Sequence, residues 1–166
     1  MTPTRTDAQV ADEQRRFAEA CVHSLWEAGG VKLDYSAASI SLLDAAVGLF
    51  WPEGKPGAEK EIPGAIFAAA GYLGEVVIRT TPAVHWTWAT NIDQPMLAFP
   101  GGAQGDVRTW VYKRITEGPK RDLRHYFKVA VDLGNQTKTL AEIGTTWPWW
   151  RDLPYRLQLW LARRRR

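Results

Sequence analysis

The chain has 166 residues, 45% hydrophobic and 23% charged, enough for one domain whose core needs no disulfide or metal to fold. Its single cysteine, Cys21, excludes an internal disulfide and a cysteine-rich metal site, and fits a reducing, cytoplasmic compartment. Net charge is +3 but unevenly placed: residues 1–104 hold 7 Lys+Arg against 12 Asp+Glu (−5), residues 105–166 hold 14 against 6 (+8).

Residues 1–6 read as a disordered lead, polar and without the apolar stretch of a secretory signal. A first helix is predicted over 7–28, with Val10, Phe17, Cys21 and Leu25 at roughly helical spacing and Gly29-Gly30 as its stop. The second runs over 37–50, with Ser36 as N-cap and Ile40, Leu43, Val47 and Phe50 as its apolar stripe. Residues 52–61 carry Pro, Gly and charge and read as an exposed loop. Pro63 opens a third helix over 63–79, with Ile66, Ala70, Leu73 and Val77 on one face. Gly71 and Gly74 lie beside that face, and each costs about 1 kcal/mol against alanine. Close approach of another backbone is the expected compensation.

The period then changes. Val84, Trp86 and Trp88 alternate with polar residues as a strand, Pro95–Phe99 forms a second, and β-branched and aromatic Val107–Ile115 reads as a third. A fourth helix spans 119–133, with Leu123, Phe127, Ala130 and Val131 on its apolar side. Helices followed by neighbouring strands predict a single α+β domain over 1–166: three N-terminal helices, a small antiparallel sheet of about three strands, then one or two C-terminal helices. Residues 147–166 form a Trp/Arg-rich extension, with a short helix predicted over 153–163. No run approaches the ~18 apolar residues of a membrane span.

Two segments carry a resemblance. Leu33-Asp34-Tyr35-Ser36 leads into a helix bearing Leu43-Asp44, and Gly71-Tyr72-Leu73-Gly74-Glu75-Val76-Val77 precedes a strand with Trp86. Over about residues 31–133 the chain resembles a group of small bacterial domains of unknown function that share an "LDxS…LD" helix entry and a "YLGEV" helix. Val111–Gly118 looks like the sheet strand of that group. The resemblance implies a bacterial cytosolic α+β domain and transfers no catalytic residue.

Few residues offer chemistry. Glu75 interrupts the apolar run Ala68–Ile78, so a buried carboxylate there needs a partner, and Tyr72 is placed to be one, a turn away on the same helix. His23, His85 and His125 are dispersed and stand in no metal-ligand pattern, and no cofactor is expected. Gly101–Gly105 lacks the pattern of a phosphate loop and reads as a strand connection.

Trp147, Trp149, Trp150 and Arg151, with Trp160 and the arginines from Arg163 and Arg164 onward, admit four uses. They can pack back over the sheet, anchor a protein interface, stack on single-stranded bases, or touch an anionic membrane surface. The expected function is a non-catalytic protein-interaction module, immunity- or antitoxin-like roles among the options. The alternatives are a nucleic-acid-binding protein using the basic C-terminal third (Arg121, Arg124, Lys128, Arg151, Arg156 and Arg163–Arg166) and a small enzyme centred on Glu75 and Tyr72.

Overall fold

The computed structural model describes residues 5–138 and Glu142. Helix α1, Asp7–Gly29, starts in a capping box: Thr6 Oγ1 accepts from the Gln9 amide, and the Gln9 side chain accepts from the Thr6 amide. Arg5 pairs with Glu13. Arg5 and Thr6 are thereby tied to the first turns of α1. Gly30, at φ 67°, ends the helix in the left-handed conformation that glycine adopts without strain.

Helix α2, Ser39–Phe50, starts two residues later than its spacing predicts. Ser36 Oγ does accept from the Ser39 amide, at 3.3 Å, but it closes the turn before the helix, and Ala38 holds the cap position. Ile40, Leu43, Ala46 and Val47 face inward. Phe50 does not complete that stripe: it is 55% exposed, alongside Leu42 at 48% and Leu49 at 81%. The loop after α2 contains a short helix α3, Ala58–Glu61.

Helix α4, Pro63–Thr80, is the centre of the fold. Every residue from Ala69 to Val77 is buried, as befits a helix apolar on nearly all sides. The glycines let its neighbours in. A Cβ on Gly71 would lie 2.6 Å from the Gln14 carbonyl oxygen, so the α1 and α4 backbones touch there, as the sequence predicts. A Cβ on Gly74 would lie 2.1 Å from the Trp86 indole, so that glycine admits a side chain, not a backbone.

The sheet is antiparallel, in the order β1 (His85–Ala89), β2 (Gln94–Ala98), β3 (Gln104–Gly105). Trp86 pairs with Leu97, and Leu97 with Gly105. Between β2 and β3, Gly101 and Gly102 take positive φ in a tight turn.

Val107–Ile115 is not a strand. It lies in helix α5, Val107–Glu117. Asp106 caps it, its Oδ1 accepting from the Thr109 amide at 3.1 Å, and Gly118 stops it at φ 78°. Among the buried residues of α5, Val107, Trp110, Val111, Arg114 and Ile115 follow helical spacing, with Thr109 and Lys113 buried beside them, and this packing overrides the β-propensity of the individual residues. Of Val111–Gly118, which the resemblance reads as a strand, Val111–Glu117 is helical for the same reason and Gly118 ends the helix. The third strand is the two-residue β3 instead. Pro119–Arg121 forms a 3-10 turn, and α6, Leu123–Gly134, begins later than expected because Asp122 caps it. Four-residue α3 aside, helices precede the sheet and helices follow it, an α+β domain.

Candidate functional site

The two sequence motifs meet in space. Leu33 is buried, and Asp34 Oδ1 accepts from the Ser36 amide at 2.9 Å, closing a local turn. That turn leaves Tyr35 at φ 61°, an unusual conformation for a bulky residue. Tyr72 on α4 holds it there. The Tyr35 amide donates to Tyr72 Oη at 2.9 Å, and Tyr72 Oη lies 2.5 Å from Ser39 Oγ. Since Ser39 Oγ donates to the Ser36 carbonyl at 2.6 Å, its one proton is spent, and Tyr72 is the donor between the two hydroxyls. The result is a directed chain, Tyr35 amide to Tyr72 to Ser39 to the Ser36 carbonyl.

The rings continue the joint. Tyr35 packs on Tyr72 with centroids 4.9 Å apart, and the Arg79 guanidinium lies 3.8 Å from the Tyr35 ring centroid. Burial raises the pKa of both phenols. The Ser39 and Tyr35 hydrogen bonds oppose this at Tyr72, and the Arg79 charge opposes it at Tyr35. Both phenols stay protonated at neutral pH, as donors and packing groups and not as bases.

Glu75, the expected partner of Tyr72, turns to another residue. It is 6% exposed, and its Oε1 accepts from Trp86 Nε1 at 3.0 Å. Tyr72 and Glu75 thus serve different neighbours: one fastens the α2 entry, the other fastens β1. With Gly74 making room for the same indole, consecutive residues of α4 are matched to one tryptophan.

A second buried polar joint pairs Asp44 and Arg114, which lie in the motif segments but whose contact the sequence does not indicate. Arg114 of α5, 3% exposed, donates from Nε to Asp44 Oδ1 at 2.7 Å and from Nη2 to the Asp44 carbonyl at 3.2 Å. The Leu123 amide donates to the same Asp44 oxygen at 3.0 Å. One carboxylate on α2 thereby ties α5 and the start of α6. Its signal, Asp44 in an apolar helix facing an arginine 70 residues away, is invisible without the fold.

The histidines stand on three separate elements, His23 on α1, His85 on β1 and His125 on α6. Cys21 is buried, and burial pushes its thiol up to about 12. Among the described residues no group of three or more His, Cys, Asp or Glu could hold a metal, and no helix is long and apolar enough to cross a membrane. Trp147, Trp149, Trp150, Arg151, Trp160, Arg163 and Arg164 lie outside the described residues. Within the basic third, Arg114, Arg121, Arg124 and Lys138 each pair with an acid: Asp44, Glu117, Asp122 and Asp132.

The chain matches no family model, and neither a curated protein nor a solved structure matches it.

Proposed function

We propose that the protein is a non-catalytic module that binds another protein, with the outer face of α2 as its contact surface. One observation carries this reading: Leu42, Ala45, Leu49 and Phe50 form an exposed apolar stripe at helical spacing on a helix whose other face is already packed. A helix apolar on both sides normally has something on both sides.

Two further observations support it over the alternatives. Tyr72 and Glu75, the residues on which an enzyme would centre, are committed to the Ser39 and Trp86 hydrogen bonds. The ion pairs of Arg121 and Arg124 reduce the free positive charge that a nucleic-acid surface would offer. Membership in the bacterial "LDxS…LD"/"YLGEV" group, and a cytoplasmic location, are parts of the same proposal. The meeting of those two motifs at Tyr72 supports the first and the lone buried cysteine the second.

The test is recovery of the tagged full-length protein and its Leu49→Asp variant from native cells, with and without nuclease. A stoichiometric protein that survives nuclease and is lost from the variant is the expected result. Nucleic acid recovered equally with both forms, or no partner with either, would overturn the reading.

A further inference from the structure

We infer that the exposed face of α2 is covered, in the free protein, by α2 of a second copy of this chain, the two helices lying antiparallel about a two-fold axis. The inference rests on α2 as the contact face and goes beyond the binding of a foreign partner, which would have to compete with the dimer.

Shape is the first argument. The exposed apolar residues of α2 and of the turn that enters it are Ala37, Ala38, Leu42, Ala45, Leu49 and Phe50. Ala38 already has helical dihedrals, φ −65° and ψ −31°, so it continues the face of the helix. Ala38, Leu42, Ala45 and Leu49 follow one another at steps of four, three and four, the spacing of a two-helix seam. One antiparallel register sets every large residue of this face against a small one. Leu42 meets Ala45 of the second copy, Leu49 meets Ala38 and Phe50 meets Ala37, and the two-fold axis repeats each contact. Leucine facing alanine lets the helices approach to about 8 Å and interdigitate, as facing layers of a core do. A foreign partner would have to bring this pattern, whereas a second copy carries it already.

Charge is the second argument. None of the six residues is charged, and Asp44, the one charged residue of α2, is turned to Arg114, whose Nε donates to it at 2.7 Å. A face that meets its own copy sets like groups near one another across the axis, so charges on it would repel, and this face has none. Size sets the strength. A single-helix face about 20 Å long is smaller than the ~800 Å² per partner of a standard interface, so the dimer belongs to the transient class and dissociates on dilution.

The experiment is sedimentation equilibrium of the purified full-length protein from about 1 μM to about 200 μM, the range over which a transient dimer forms and dissociates. The wild type should pass from monomer to dimer. Leu49→Asp, which sets a carboxylate in the seam, and Ala45→Arg, which holds the helices apart, should each raise the dissociation constant by about tenfold or more. Both positions are exposed, so the substitutions spare the core, and an unchanged thermal midpoint at the lowest concentration confirms it. Orientation is read by mixing Leu42→Cys and Ala45→Cys proteins under mild oxidation, where the mixed disulfide should exceed its statistical share. Cys21 does not compete, because its thiol is buried. A wild type that stays monomeric, a dimer that neither variant weakens, or like-with-like disulfides in excess would overturn the inference. A monomeric wild type that still loses a foreign protein on Leu49→Asp overturns the dimer alone and keeps the partner reading, while a dimer with no foreign protein recovered does the reverse.

Discussion

The Trp86 indole lies over Gly74 and donates its N–H to Glu75, at 3.0 Å, so two consecutive residues of α4 recognise one side chain of β1. The buried carboxylate of Glu75 thereby has a hydrogen-bond donor at Oε1. The same helix turn also supplies Tyr72 to the α2 entry and Gly71 to α1, so α4 acts as a hub whose polar groups are spent on joints.

Tyr72→Phe should test the hydroxyl chain. The ring and its stacking on Tyr35 are kept, but the Tyr35 amide loses its acceptor and Ser39 loses its donor. A destabilisation of about 1–3 kcal/mol is expected from the unsatisfied groups, read as a lower urea midpoint at unchanged slope.

Arg114→Ala should cost about 3–5 kcal/mol, the usual penalty for leaving a buried charge without its partner. Arg114→Lys should recover only part of it, because a single ammonium cannot reproduce both the Nε contact to the Asp44 carboxylate and the Nη2 contact to its carbonyl. Thermal unfolding of the two variants separates charge from geometry.

Acid should weaken the fold in part through Asp122. Its hydrogen bonds to Arg124 hold its carboxyl below the ordinary aspartate value, so the unfolded state binds the proton more readily. The stabilisation is complete above the unfolded pKa of about 3.9 and is lost as pH falls through the lower folded value. In Asp122→Asn the acid limb of the stability–pH curve should be shallower, as followed by circular dichroism.

The Cys21 thiol should be inert in the native protein. With its pKa pushed up to about 12, almost no thiolate exists at pH 8. Labelling by iodoacetamide should proceed only after denaturant is added, and mass spectrometry reports the adduct.

Much of the architecture is legible in the sequence because it is local. The α1 stop at Gly30, the Pro63 start of α4 and the alternation around Trp86 all rest on residues a few positions apart. The strand expected at Val107–Ile115 shows where locality fails. Its β-branched and aromatic residues satisfy a strand by composition, while their burial at 107, 110, 111, 114 and 115 follows a helix, and the Asp106 and Gly118 caps are the signal that favours the helix. Phe50 reads as inward because it continues a three-four spacing, yet α2 is apolar on both sides, and spacing alone does not say which side the core takes. At the candidate site, Glu75 is legible as a carboxylate needing a partner. That the partner is Trp86, across a chain reversal, depends on how β1 returns over α4.

The most direct measurement is a urea-unfolding double-mutant cycle between Gly74→Ala and Trp86→Ala. On an ordinary helix Gly→Ala stabilises by up to about 1 kcal/mol. Here the added methyl would meet the Trp86 ring, so Gly74→Ala should destabilise by about 1–3 kcal/mol, and the same change in the Trp86→Ala background should be neutral or stabilising. If Gly74→Ala stabilises the intact protein, or costs the same in both backgrounds, Trp86 does not sit on Gly74 and the place of α4 as the hub of the fold is contradicted.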